Sequence, residues 1–586
     1  MKKDKKLIHK FFPFLEWIHL LRDPAVFRAD FIAGLTVALI LIPQSMAYAN
    51  LAGLPAYFGL YIAFMPVMVA ALWGSSRQLG TGPVAVVSIM TATTVAALLG
   101  GTAVENPELL GQYIALATFL TLIVGVFQFS LGVFKLGFIV NFLSHPVIVG
   151  FTNAAALVIG LSQLSKILGV TMPGTSSDHF LTVRIWGVLQ QLTDTHWETF
   201  IMGLGAFSVM LLMKKYVPKL PGVLVAVAGA TLISYAIGFE QLGGAVVGEI
   251  PRGLPSIEMP GIEIANLGYL VINGMIISLV GFMEAISIAK AMAAKTRDKI
   301  DASQELIGQG LGNIVGSFTQ AYPASGSFSR SAVNLDAGAR TGFSSVITAM
   351  FVVVTLLFLT PLLYHLPKAV LAAVIMMAVF GLINFREMKH AWHTNKHDGI
   401  ASHTTFVCTL GFAPNLEQGI LIGGGLAIGL FLYRTMKPRV AILGRYRDGT
   451  LRDVKVNPDL KTDENIIALR FDGSLYFANV AFFEDTLLEA VSEHPDAKYI
   501  LVVGDGINQL DASGEEVLHH LVQRFESSGI TLVFSGLKKQ VLDVMRNTGL
   551  FYELHAENIF ATENMALREL YKRLGKRGKD TVLLSG

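Results

Sequence analysis

Charged side chains and cysteine are both scarce in this chain. Charged residues make up 15% of its 586 positions, whereas soluble globular proteins carry about a quarter, so an ordinary soluble protein is excluded. The single cysteine, Cys408, excludes an intrachain disulfide and a cysteine metal cluster. The net charge of +2 gives no reason to expect a nucleic-acid partner. Hydrophobic residues reach 53%, which predicts a polytopic α-helical membrane protein.

Sequence signatures of enzymes and metal sites are also missing. His145, His365 and His403 show no metal-ligand spacing, and neither His-Glu-x-x-His nor Gly-x-Ser-x-Gly occurs. The glycine run 308–312 lies inside an apolar segment with no preceding βα unit, so it predicts helix packing instead of nucleotide binding. We therefore expect no catalytic residue, no metal and no cofactor. A membrane enzyme is the disfavoured alternative.

Apolar runs long enough to cross a bilayer, or half of it, recur fourteen times. They form two sets of seven, so the second set starts on the opposite side of the membrane, as in an inverted-topology repeat. The first set covers roughly residues 31–49, 57–73, 83–100, 112–134, 138–162, 198–213 and 221–238. The second set covers roughly residues 266–289, 303–319, 326–339, 343–364, 369–384, 398–413 and 418–434.

The connectors between these segments alternate in charge. Those predicted to lie inside carry basic residues, such as Lys214 and Lys215, whereas the outside ones are mainly acidic, as at Glu105 and Glu108. The alternation predicts an even number of spans, with both termini in the cytosol. We expect a multi-pass protein of the cell membrane, the inner membrane of a bacterium. The expected parts are a cytosolic N-terminal segment at 1–29, a transmembrane domain at 30–436, and a cytosolic domain with its tail at 437–586.

Two of the segments open with a break in the helix. Residues 80–84 (Gly-Thr-Gly-Pro-Val) open the third segment, and residues 325–331 (Ser-Gly-Ser-Phe-Ser-Arg-Ser) open the tenth, the third of its own set. Broken backbone and arginine are tolerated at membrane depth only beside a cavity or a partner. Inverted symmetry would point both helix N-termini at the midplane, each with about half a positive charge. The two facing helix N-termini together predict an anion site with Ser327, Ser329 and Arg330 in its wall. Residues 80–84 alone would predict only packing or a turn.

The eighth segment contains one carboxylate, Glu284, in an otherwise apolar run. An isolated acid at membrane depth predicts a functional site, here one that takes up and releases a proton. The alternative is a structural ion pair with Arg330 or Lys290. The two roles can coexist.

At these residues the chain resembles the sulfate permease (SulP) family of anion transporters, over nearly its whole length. The stretches that carry the resemblance are 51–61 with 74–77 and 82–83, 304–306 with 312–313, and 326–331. The resemblance implies a fourteen-segment, uracil-permease-like fold with a core domain and a gate domain, and a homodimer. It also implies anion binding between the third and tenth segments, and elevator-like alternating access in which the core moves against the gate.

The resemblance also assigns an anion pocket residue by residue. The matching positions are Gln44 in the first segment, Val84 and Ala85 in the third, and Ser327, Phe328 and Ser329 in the tenth. Arg330 matches the arginine that adds positive potential beside that pocket. Taken without the family, Gln44 would equally predict an interhelical hydrogen bond beside a kink at Pro43.

The region after Lys437 predicts a small α/β sheet domain, because short β-rich runs such as 474–477 alternate with helices. It resembles a STAS domain, and residues 510–514 match the loop that is phosphorylated on serine in bacterial anti-sigma factor antagonists. The phosphoacceptor position is Ala512 here, which excludes that modification at this position. Ser513, like Asp511, is expected to cap a helix. We expect a regulatory or assembly module that carries no catalysis and binds a cytosolic protein.

The sequence therefore predicts a secondary active transporter of a small anion, with sulfate, bicarbonate and dicarboxylates left open. In sodium-coupled family members a hydroxyl follows the acid by one turn. That position is Ile288 here, so we expect a coupling proton over sodium. The alternatives are an anion exchanger, a sodium-coupled bicarbonate symporter and an uncoupled anion channel on the same scaffold. A nucleobase carrier is disfavoured, because it would require a carboxylate at 327–330.

Overall fold

The structure is a computed structural model that describes residues 12–104, 106–137, 144–170, 181–217, 221–261, 264–413, 416–577 and 580–584. The chain divides into two compact units, Met1–Ala427 and Ile428–Gly586.

The first unit is built from apolar helices, and each of the fourteen predicted segments contains one. Eight helical stretches among the described residues are long and apolar enough to cross a membrane. The first set contains α1 Pro24–Leu51, α2 Phe58–Ile62, α3 Met65–Trp73, α4 Ala85–Leu99, α5 Leu110–Val133, α6 His145–Ser162, α7 Leu164–Leu168, α8 Leu181–Gln190, α9 Trp197–Tyr216 and α10 Gly222–Ile237. The second set contains α11 Leu267–Thr296, α12 Ala302–Ser317, α13 Phe328–Asp336, α14 Phe343–Val354, α15 Lys368–Phe380, α16 Phe385–Thr394, α17 Lys396–Gly411 and α18 Leu416–Met436. Three of these helices, α7, α8 and α16, lie in connectors between the predicted segments.

The breaks before the third and tenth segments pair with each other. Residues Gly80–Gly82 form strand β1, and residues Ser325–Ser327 form the antiparallel strand β2, with Gly80 opposite Ser327 and Gly82 opposite Ser325. Helix α4 follows β1, and helix α13 follows β2 directly. The same strand-then-helix unit therefore occurs at corresponding places in the two sets, as an inverted repeat requires.

The glycine run of α12 serves helix packing, as predicted. A Cβ added at Gly308 would lie 2.5 Å from the backbone nitrogen of Gly74, and one at Gly310 would lie 2.5 Å from that of Phe129. Both contacts are too short for any side chain. The absence of a Cβ thus lets α12 lie directly against the end of α3 and against α5.

The second unit is a six-stranded sheet with helices on both faces. The strands are β3 Val440–Arg445, β4 Leu451–Asp453, β5 Ile466–Phe471, β6 Tyr499–Val503, β7 Thr531–Ser535 and β8 Ile559–Phe560, in the order β4-β3-β5-β6-β7-β8. The strands β5 to β8 are parallel, and β3 is antiparallel to both its neighbours. The helices are α19 Val480–Glu493, α20 Ala512–Ser527, α21 Lys539–Thr548, α22 Leu550–Glu553 and α23 Glu563–Arg573. Helices α19 to α22 cover one face, and α23 covers the other.

Two local predictions for this unit are wrong. Residues 474–477 form no strand, because pairing stops after the single bridge between Leu475 and Leu510. The Asn479 side chain then closes a turn by accepting from the Tyr476 N–H and donating to the Ser474 carbonyl. Ser513 does not cap α20, since it lies inside the first turn. The predicted cap Asp511 is confirmed, because its carboxylate accepts from the Gly514 N–H at 2.8 Å.

Candidate anion-binding site

The β1–β2 pair makes room for a buried arginine. Arg330 is the third residue of α13, and its side chain has no exposed surface. A Cβ added at Gly80 would lie 2.8 Å from the Arg330 Cβ, and one at Gly82 would lie 3.3 Å from its Nη2. Gly82 also has a φ of +140°, which L side chains rarely adopt. Both glycines of β1 are therefore needed for Arg330 to lie where it does.

Most of the hydrogen-bonding capacity of Arg330 is unused. Its Nη1 donates to the Gln44 Oε1 at 3.2 Å, whereas its Nε and Nη2 have no partner in the part of the chain that the structure describes. A buried cation with unpaired N–H groups is unfavourable unless an acceptor is supplied. The site is therefore suited to an anion.

Gln44 lies in α1 directly after Pro43 and links two side chains, those of Arg330 and Tyr48. Its Oε1 accepts from Arg330, and its Nε2 donates to the Tyr48 Oη at 3.1 Å. The interhelical hydrogen bond that Gln44 alone predicts is thus present, and its partner is the arginine of the tenth segment. Tyr48 was not among the predicted site residues. Its position one turn after Gln44 in the same helix is the signal that indicates it.

The other predicted pocket residues surround the first turns of α4 and α13. Ala85 is the first residue of α4 and Val84 is its N-cap, and both are buried. Ser327 is buried and its Oγ lies 3.3 Å from that of Ser329, whereas Phe328 is 58% exposed. Neither Val84 nor Ser327 caps its helix with a side-chain hydrogen bond. The first N–H groups of both helices therefore lack side-chain caps.

Glu284 lies beside β2 on helix α11. One turn earlier, Gly281 accepts a hydrogen bond from the Ser325 Oγ at 2.6 Å, and the next residue, Ala285, packs on Gly326. Among the described residues Glu284 forms no ion pair within 4.0 Å, so the alternative of a structural ion pair with Arg330 or Lys290 is wrong. The Glu284 side chain is half-buried.

Helix α12 supports the start of β1 with a buried carboxylate. Glu305 is 1% exposed and accepts from the N–H groups of Ser75 and Ser76 at 2.9 and 3.0 Å. One turn later, Gln309 donates from its Nε2 to the Thr81 Oγ1 at 2.8 Å. These bonds fix the segment that leads into β1 and the strand itself.

The next turn of α12 supports the other strand. The Asn313 Oδ1 accepts from the Ala324 N–H at 2.8 Å, and its Nδ2 donates to the Ala324 carbonyl at 3.1 Å. Glu305, Gln309 and Asn313 are spaced by four residues and so share one helix face. This polar stripe in an apolar segment was the signal for the supporting residues, which were not predicted as part of the site.

Comparison with known proteins decides the family. The model of the sulfate permease family matches residues 27–405, and that of the STAS domain matches residues 457–566. This chain belongs to the sulfate permease family. It is 36% identical over 561 residues to sulfate transporter 4.1, chloroplastic, of Arabidopsis thaliana, covering 93% of this chain and 80% of that protein. It is 33% identical over 573 residues to high affinity sulfate transporter 2 of Stylosanthes hamata, covering 94% of this chain and 85% of that protein.

Solved structures confirm the fold of this member of the sulfate permease family. The structure of SLC26A9 superposes with a TM-score of 0.88 at 22% identity and covers 99% of this chain and 96% of that chain. The transmembrane domain of a cyanobacterial bicarbonate transporter, BicA, gives 0.57 at 23% identity and covers 69% of this chain and 97% of that chain. The predicted fold class, a multi-pass helical membrane domain followed by an α/β STAS domain, is thereby confirmed.

Proposed function

We propose that this protein is a secondary active transporter of a small oxyanion or carboxylate, and not an enzyme. The observation that carries the proposal is the buried Arg330 guanidinium with two unpaired nitrogen atoms, Nε and Nη2. A small anion supplies both the opposite charge and the acceptors that this group lacks. Relatives of this chain are named sulfate transporters, and one structural neighbour is named a bicarbonate transporter. Sulfate, bicarbonate and C4-dicarboxylates are therefore the anions to test.

In the proposed site Arg330 provides positive charge and its unpaired N–H groups, and neutral donors complete the binding of the anion. The donors are the Gln44 amide, the hydroxyl groups of Ser327 and Ser329, and the first N–H groups of α4 and α13, with Val84, Ala85 and Phe328 shaping the walls. Neutral donors bind an anion without trapping it, which a carrier that must release its substrate requires.

Coupling to a proton follows from the position of Glu284. An ionised carboxylate at the edge of the site repels an incoming anion, whereas the protonated acid does not. Anion binding and proton binding therefore favour each other, and by linkage the effect is reciprocal. A carrier that changes from outward-facing to inward-facing with the anion and the proton both bound performs proton–anion symport. Ile288 offers no hydroxyl for a sodium ion, which supports a proton over sodium.

The remaining features of the proposal concern architecture. We propose that the core moves against the gate in an elevator-like cycle within a homodimer. We also propose that both termini are cytosolic, with boundaries at 1–29, 30–436 and 437–586, and that the membrane is the inner membrane of a bacterial cell. The alternating connector charge supports this orientation. The STAS domain is proposed to bind a cytosolic protein, with no phosphorylation at Ala512.

Uptake by proteoliposomes of the purified protein tests the function. Labelled sulfate, bicarbonate and a C4-dicarboxylate are offered in turn, with an imposed proton gradient or sodium gradient. We expect uptake of at least one anion to be driven by inward proton flow. If no anion moves and the purified protein binds none, the transporter proposal fails. If a sodium gradient drives uptake and a pH gradient has no effect, proton coupling fails.

Glu284→Gln separates a coupled carrier from an uncoupled conductor. A carrier should lose its dependence on the proton gradient but keep anion exchange, because the amide mimics the protonated acid. A channel should keep its conductance unchanged. Glu249→Gln, an exposed loop residue, is the matched control and should behave as wild type.

A further inference from the structure

Helix α16 is a short amphipathic helix that connects two membrane segments. It begins after Asn384, whose side chain accepts from the Glu387 N–H at 3.2 Å, and it packs tightly on α17. A Cβ added at Gly399 of α17 would lie 2.6 Å from the Trp392 Cα. The ring centroid of Phe385 lies 5.8 Å from that of Phe406. Helix α16 is thus held against α17, in the connector between the twelfth and thirteenth predicted segments.

The side chains of α16 are sorted around its axis. At 100° per residue, Met388 lies at the centre of the apolar arc and is 4% exposed. Phe385 and Trp392 lie at one edge of that arc and are 47% and 43% exposed. The adjoining arc is basic and exposed, and consists of Arg386, Lys389, His390 and His393.

Among the residues that the structure describes, the basic arc has no acidic partner. In the described residues neither Arg386 nor Lys389 forms an ion pair within 4.0 Å. Glu387, the one acid of the helix, faces the other way. Its carboxylate lies 2.8 Å from the His145 Nε2 and accepts from the Asn384 Nδ2 at 2.9 Å. The charge of the arc is therefore available to an external anion.

We propose that α16 is an interfacial helix whose basic arc binds the phosphate headgroups of anionic phospholipids. The general excess of basic residues in cytosolic connectors explains their presence but not their sorting onto one arc beside exposed aromatic rings. Aromatic rings prefer the level of the headgroups, and unpaired lysine and arginine are attracted to an anionic lipid surface. A bilayer surface offers both environments side by side, which a protein partner need not do. This surface lies outside the proposed anion pathway.

Quenching of Trp392 by brominated lipids tests the proposal on the full-length protein. The protein is reconstituted in phosphatidylcholine bilayers that contain either brominated phosphatidylglycerol or the same fraction of brominated phosphatidylcholine. Trp392→Phe provides the background, so the difference reports Trp392 alone. We expect brominated phosphatidylglycerol to quench at least about twofold more strongly, and high salt to remove the excess.

Two double variants show whether the basic arc is responsible. Arg386→Gln with Lys389→Gln should abolish the excess quenching by phosphatidylglycerol, whereas Lys290→Gln with Lys295→Gln, exposed on α11, should retain it. All four positions are exposed, and monodispersity in size-exclusion chromatography checks folding. Equal quenching by both lipids in the wild type overturns the proposal. Absence of quenching by either brominated lipid also overturns it, because water or a protein would then lie against α16. An equal loss of the excess quenching in both double variants overturns it as well.

Discussion

Arg330 and Gln44 meet through a hydrogen bond of 3.2 Å between Nη1 and Oε1, although they are 286 positions apart in the sequence. The bond joins the first segment of one repeat to the third segment of the other. Because Gln44 also donates to Tyr48, its amide is fixed from both ends and in turn orients the guanidinium. The remaining donors of Arg330 are therefore directed before any ligand arrives, which lowers the cost of binding.

Removal of the positive charge should abolish high-affinity anion binding. We expect Arg330→Gln to weaken sulfate binding at least about tenfold, since hydrogen bonds to a charged group contribute about 1.5–3 kcal/mol. Arg330→Lys should have a smaller effect because it keeps the charge. Isothermal titration calorimetry of the detergent-solubilised protein measures both. Arg252→Gln, exposed in a loop, is the control. Unchanged affinity in Arg330→Gln would show that the arginine plays no part in binding.

A methyl group added to strand β1 should displace the Arg330 side chain. In Gly82→Ala the new Cβ would lie 3.3 Å from the Arg330 Nη2, on backbone whose φ of +140° disfavours alanine. We expect a loss of stability of about 1–3 kcal/mol and a clear fall in anion uptake. Gly229→Ala is the matched control, because nothing lies within 4 Å of its added Cβ. Equal uptake by the two variants would contradict the assigned packing.

Hydropathy was sufficient to predict the helical segments of the membrane unit, because each span needs a continuous apolar run and each break is visible as glycine and serine. The uracil-permease-like arrangement of these segments was implied only by the family resemblance. The pairing of the two breaks also followed from their equal rank in the two sets. The C-terminal hairpin of β3 and β4 was missed. One of its strands, β4, is a partly exposed edge strand of three residues without a clear apolar pattern.

Contacts between polar side chains could not be predicted in the same way. The sequence carries no information on the separation of Glu284 from Arg330 or Lys290, so it left open an ion pair that is not found among the described residues. Likewise, the N–H groups of Ser75 and Ser76 that donate to Glu305 lie 230 and 229 positions away. Such partners are determined by which helices become neighbours, and apolar periodicity only shows which face of a helix is buried.

Glu305 should be a strong determinant of stability although it lies outside the pocket. Glu305→Ala leaves the N–H groups of Ser75 and Ser76 without their acceptor in a buried setting. We expect a loss of at least about 2 kcal/mol, because each unsatisfied buried donor costs about 1–3 kcal/mol. Thermal unfolding in detergent measures the effect, with Glu249→Ala, exposed in a loop, as the control. If both variants unfold at the same temperature as the wild type, the Glu305 carboxylate does not hold the segment before β1.

In the STAS unit, Asp505 should make stability depend on pH. Asp505 is exposed, but partial desolvation and the nearby Glu563 raise its pKa above the ordinary value, and Lys538 and Arg470 oppose them. The folded unit therefore holds this proton more tightly than the unfolded chain. The stabilisation is complete below the ordinary pKa of about 4 and is lost as the pH rises through the raised value. At neutral pH the ionised carboxylate is then unfavourable.

Asp505→Asn should consequently stabilise the C-terminal unit at neutral pH, and the gain should shrink as the pH falls toward 4 and below. Thermal unfolding of residues 428–586 at a series of pH values measures the difference from wild type. Asp485→Asn, exposed on α19, is the control and should show no such pH-dependent gain. A gain that is constant with pH would point to a change in packing, and a loss at neutral pH would mean that the carboxylate stabilises its surroundings in its ionised form.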